Sequence, residues 1–144
     1  MPKIILVALS LIICSCATNQ TTVPDLQKYF VQLSGEVASG DVVDRREDYF
    51  SRVYLKEVNI DDENSLFLLN IPSHVKKIES YYQSLNKDTG CLTINGYESN
   101  GSPVSIYLEY IKENSHWVVN YMYLNLLEDK SGFKGKAICP KSIE

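Results

Sequence analysis

From Cys91 onward the 144-residue chain runs in a period of two, and no other feature constrains its fold as much. In "CLTINGYES" Leu92 and Ile94 alternate with Thr93 and Asn95. In "PVSIYLEYIK" Ile106, Leu108 and Tyr110 oppose Tyr107 and Ile111. Side chains two apart share one face of a strand. Ser99-Asn100-Gly101-Ser102 holds the Asn-Gly pair of tight hairpins, and "ENSH" at Glu113 to His116 supplies the next turn. "WVVNYMYLNLL", starting at Trp117, is apolar on both faces, which predicts a central position in the sheet or partial cover on each side. Strands joined by such short turns form an antiparallel meander.

The first half reads with the helical period. Leu26, Tyr29, Phe30, Leu33 and Val37 recur on one face, with Thr22 placed as N-cap, Pro24 and Asp25 in the first turn, and "ASGD" as the end. Asp41 or Asp44 starts a second helix that turns Tyr49, Phe50, Val53 and Tyr54 inward. The stretch Val53 to Ile60 fits a helix or a strand equally. "SLFLLNI" is a short apolar helix ended by Ile71-Pro72, since the residue before proline leaves the α region. A third long helix begins at Asn70 or Ser73, places Val75, Ile78, Tyr82 and Leu85 on one face, and ends at "NKDTG". Helices followed by a meander predict an α+β domain, with N-terminal helices packed on a curved antiparallel sheet of three to four strands.

The N-terminus has a different character. Lys3 precedes an apolar run from Ile4 to Ile13, interrupted only by Ser10. Ten residues rise about 15 Å as a helix, against a hydrocarbon core of roughly 30 Å. A charge followed by so short an apolar run is the pattern of a secretory signal. Ile13-Cys14-Ser15-Cys16 resembles the bacterial lipobox, with an aliphatic residue, two small residues and the acceptor cysteine. Cys14 as acceptor would put Ile13 before the cleavage point, which the motif does not allow. The resemblance implies removal of residues 1–15, a diacylglyceryl group on Cys16, a lipidated tether over 16–22 and a single domain over 23–144. Ala17 after the cysteine implies the outer membrane, with the domain facing the periplasm.

Cys91 and Cys139 then remain in the exported domain. Such a pair forms a disulfide more often than a metal site, with two free thiols as the alternative. The net charge is −4, and the basic residues cluster no further than Arg45-Arg46 and Lys76-Lys77. That balance argues against nucleic acid, whose phosphates need a dense positive face.

Ser39-Gly40-Asp41 closing the first helix, "YFSRVYL" at Tyr49 to Leu55, and the late-strand Trp117 in "HWVVNYMYL" together resemble the nuclear transport factor 2-like superfamily. The resemblance implies a cone-like fold whose mouth binds small molecules or serves as an enzyme site, or whose sheet pairs with a partner. It supplies no catalytic residues here, because the family's His and Asp have no matching positions.

The chemistry is sparse. His74 and His116 are far apart and neither has a metal-type ligand nearby in sequence. "DDEN" at Asp61 to Asn64 lacks the alternating ligands of a calcium loop and reads as a helix cap. Ten tyrosines stand out. Tyr81 and Tyr82 on the third helix, with Tyr107, Tyr110, Tyr121 and Tyr123 on strands, suit a cavity or binding surface, and equally suit ordinary strand packing. The sequence thus predicts a membrane-held, non-enzymatic domain without cofactor or metal, binding an envelope protein or a small ligand. The alternatives are a ligand-binding or enzymatic cone and an envelope immunity or inhibitor protein.

Overall fold

A computed structural model describes residues 23–142. The lipobox, Cys14, Cys16, Ala17 and Thr22 lie outside the described residues. The described residues form four α-helices, α1 Leu26–Ser39, α2 Arg46–Tyr49, α3 Arg52–Leu55 and α4 Glu63–Asn70. Four strands follow, β1 Lys77–Asn86, β2 Thr89–Tyr97, β3 Pro103–Glu113 and β4 His116–Leu126. The strands form one open antiparallel sheet in the order β1-β2-β3-β4. This is the expected α+β class, with four strands. Among the described residues no helix is long and apolar enough to cross a membrane.

Helix α1 buries the predicted face through Leu26, Phe30, Leu33 and Val37. Its cap is Asp25, one turn later than Thr22, and Asp25 accepts from the Gln27 amide. Gly40 closes the helix at φ 84°, donating to Glu36 and Val37 in a left-handed turn that glycine adopts without a Cβ clash. The Gln83 side chain on β1 ties the start of α1 to the sheet. Its Oε1 accepts from the Leu26 amide at 2.9 Å and its Nε2 donates to the Pro24 carbonyl at 3.2 Å.

The expected second helix is broken in two. Phe50 is extended and bridges Val119 of β4 in parallel, and the Ser51 amide donates to the Val119 carbonyl at 2.8 Å. Ser51 then caps α3 by accepting from the Tyr54 amide at 3.0 Å. Phe50 and Tyr54 point inward and stack at 5.2 Å, whereas Val53 is exposed. Of the ambiguous Val53–Ile60 stretch only the start is helical, and the rest is turn. Asp62 caps α4 by accepting from the Asn64 and Ser65 amides, which accounts for "DDEN".

The third predicted helix is instead a short 3-10 turn, Ile71–His74, followed by strand β1. A bulge explains the misreading. Ile78 pairs with Gly96 and Ser80 with Asn95, so Glu79 is an extra residue and the phase of the strand slips. Ile78 and Leu85 therefore share the core-facing side at a spacing of seven, about two helical turns, which mimics a helix, whereas Tyr82 of the predicted stripe faces the other side. "NKDTG" is the hairpin turn between β1 and β2 rather than a helix end.

Two layers cover the sheet. On one face Leu92, Ile94, Ile106, Leu108, Tyr110, Val119 and Met122 pack against the helices around Phe30, Phe50 and Leu69. The opposite face carries Thr93, Asn95 and Ser105, all buried although polar. The C-terminal tail covers them and supplies their hydrogen bonds. Asn95 Nδ2 donates to the Lys134 carbonyl at 2.9 Å, Asn95 Oδ1 accepts from Ser105 at 2.7 Å, and the Ile138 amide donates to Thr93 at 3.0 Å. The sulfurs of Cys91 and Cys139 lie at disulfide distance, with Cα atoms 5.1 Å apart, and pin the tail to β2. Lys141 reaches Glu109 on β3 at 3.3 Å. Strand β4 lies at the edge of the sheet rather than in the centre, and on its outer face Val118 is buried while Tyr121 and Tyr123 are exposed, so only the partial cover expected of it is found.

Candidate functional site

The tyrosines singled out in sequence do not form one surface. Tyr81 and Tyr82 sit on β1, not on a helix, and face opposite sides of the sheet. Tyr107 is buried and stacks on Tyr123, ring centroids 6.3 Å apart, while Tyr121 and Tyr123 are exposed. Tyr110 lies on the other face, inside the helix-packed core. The histidines are also separate. His74 meets Glu98 at 2.8 Å, and His116 is exposed at the start of β4.

What the fold does bring together is a cleft of about 630 Å³ between α1, α2 and the β3–β4 hairpin. That volume lies within the roughly 300–1,000 Å³ span of ligand clefts. Helix α1 contributes Tyr29, Gln32 and Glu36, which recur at three and four residues and so share a stripe beside the core face. The segment entering α2 contributes Arg45, and α2 adds Asp48 and Tyr49. The hairpin contributes Tyr110, Ser115, His116, Trp117 and Val119. Asn114 and Ser115 both have positive φ, at 47° and 69°, giving the tight two-residue turn that projects His116 and Trp117 toward the helices.

The polar groups of this cleft are already tied to one another. Arg45 bridges Glu36 and Asp48, the second contact at 3.1 Å. Tyr49 donates to the same Glu36 oxygen at 3.0 Å, and the Arg45 guanidinium lies 5.5 Å from the centre of the Tyr49 ring. The hydrogen bond to Asp48, then the Glu36 charge, hold the Arg45 pKa above its ordinary value. Partial burial, then the bond to Glu36, push the Tyr49 phenol up. Such a set fixes side chains in place and offers both donors and acceptors on planar groups.

Tyr110 is the exception. It is 2% exposed, its hydroxyl has no hydrogen-bond partner among the described residues, and burial pushes its pKa up. A buried hydroxyl without a partner is uncommon, because its desolvation is uncompensated.

A second open cleft of about 640 Å³ adjoins the first, sharing Asp48 and His116 and continuing past Arg52, Lys56 and Glu113. The space between helices and sheet is filled by Phe30, Phe50, Tyr54, Leu69 and Met122, so the clefts lie at the surface rather than inside the domain. Tyr54 there donates to the Leu68 carbonyl at 3.0 Å, and burial, then the charge of Tyr121, push its pKa up.

No family model, curated protein or solved structure matches the chain. Sequence reading missed Tyr29, Gln32, Glu36, Arg45, Asp48 and Tyr49 as a group, because they form no compact motif. The one available signal was the 29, 32, 36 spacing beside the core stripe of α1.

Proposed function

We propose that the protein is a lipid-anchored component of a bacterial cell envelope whose domain is a binding module rather than an enzyme. The anchor is Cys16 of the lipobox-like Ile13-Cys14-Ser15-Cys16, with residues 1–15 removed, and Ala17 favours the outer membrane with the domain facing the periplasm. A cysteine pair at disulfide distance, Cys91 and Cys139, suits an oxidising compartment. Helices followed by an open four-strand meander support the resemblance to the nuclear transport factor 2-like superfamily, whose cone-like shape remains part of the proposal.

The observation that carries the binding reading is the Glu36–Arg45–Asp48 network with Tyr49 in the aromatic cleft. Its ionisable groups satisfy one another. They are set to hold and orient rather than to move protons.

Labelling with a fatty-acid analogue tests the anchor. Cys16→Ser should abolish incorporation and Cys14→Ser should leave it intact; equal loss in both would refute the assignment of Cys16. Crosslinking in native envelopes tests the partner. A specific crosslinked protein supports binding to an envelope protein, and recovery of the lipidated domain alone counts against it in favour of a small ligand.

A further inference from the structure

We propose that the cleft between α1, α2 and the β3–β4 hairpin is a glycan site that takes a neutral, hydroxyl-rich oligosaccharide. The inference rests on the binding-module reading and names its ligand class. Three rings, Tyr29, Tyr49 and Trp117, stand in the wall of the cleft. The negative face of an aromatic ring attracts the positive C–H edges of a sugar ring laid against it. Between the rings are planar polar side chains, among them the exposed Gln32 amide and the Arg45–Asp48 pair, which present donors and acceptors to ring hydroxyls.

Charge selects against an ionic ligand. The wall carries two carboxylates, Glu36 and Asp48, and the Arg45 guanidinium already sits between them and over the Tyr49 ring. The place a ligand cation would take is filled by the protein's own, and an anion would meet the carboxylates. The strand edge selects against an extended peptide. Peptides commonly add to a free edge through backbone hydrogen bonds, but beside the cleft the edge of β4 is interrupted at Val119, whose carbonyl accepts from the Ser51 amide.

Tyr110 backs the cleft wall from the core, and its hydroxyl is closed to solvent, so it shapes the wall without reaching a ligand. The adjoining cleft, which shares Asp48 and His116, lengthens the site beyond a single sugar, as a polymer ligand requires.

The chain has one tryptophan, which stands in the wall of this cleft and of the one beside it, so its selectively excited emission reports on this end of the domain. Full-length lipidated protein, held in a detergent without a sugar head group, is titrated with tri-N-acetylchitotriose. The expected result is a saturable change in Trp117 emission. Gln32→Ala and Tyr29→Leu should each weaken binding about tenfold, the loss of one hydrogen bond or one stacked ring, with the far-ultraviolet circular dichroism of the fold retained. Equal affinity in both variants and the parent protein would overturn the assignment. So would a saturable response to neutral pentaalanine and none to the sugar, which overturns the glycan and leaves the binding-module reading standing. No response to either overturns the glycan and leaves the binding-module reading to the crosslinking test.

Discussion

Replacing Tyr110 by phenylalanine should make the protein more stable, against the usual direction for a core substitution. The residue is 2% exposed and packs in the main core, on the strand position opposite Gly90. Its ring therefore contributes its full apolar burial, and phenylalanine keeps that ring. What changes is one hydroxyl without a partner among the described residues. Leaving such a group buried costs about 1–3 kcal/mol. Against this, deleting one oxygen forfeits a few dispersion contacts of about 0.1–0.2 kcal/mol each. The net gain is on the order of 1 kcal/mol, or roughly 4 °C in melting temperature for a domain of this size. Urea unfolding followed by far-ultraviolet circular dichroism measures it, with the midpoint moving up and the slope unchanged. A loss of about 1 kcal/mol or more would refute the reasoning, because it would mean that the hydroxyl is satisfied in the free protein.

The cysteine pair spans a sequence separation of 48, so the double variant Cys91→Ser/Cys139→Ser should lose about 4 kcal/mol in the chain-entropy model. Hydrogen exchange at the Ile138 amide, which donates to Thr93, should accelerate in that variant, and unchanged protection would show that the tail is held without the bond. Gly96→Ala should destabilise by about 1–3 kcal/mol, since its new Cβ would stand 2.3 Å from the Lys77 carbonyl oxygen at the β1 bulge. A neutral result in thermal unfolding would mean that the bulge can relax. Burial raises the phenol pKa of Tyr54 and Tyr110 above the unfolded value of about 10. Their contribution is complete below that pH and is lost as pH rises beyond it, so stability should fall from about pH 10 upward. Tyr110→Phe should make the fall shallower, and an identical slope would argue against Tyr110 as a source.

The sequence carried the class of this fold because its two periods are local properties. Leu26, Phe30, Leu33 and Val37 lie on one stripe of any helix, and Leu92, Ile94, Ile106 and Leu108 on one face of any pair of strands. The capping of α4 by Asp62 was legible too, since it needs only three adjacent residues. Tertiary structure alone decided what depends on a distant partner. Glu79 bulges out of β1 against the backbone of β2, and that slip gave Ile78 and Leu85 a helical spacing within a strand. Phe50 leaves the helix to pair with Val119, 69 residues later, an exchange of local hydrogen bonds for a sheet bond that no window of sequence contains. The candidate site belongs to the same kind. Glu36, Arg45, Tyr49 and Trp117 come from a helix, a turn, a second helix and a hairpin, and only the packing of α1 and α2 beside β4 makes them neighbours.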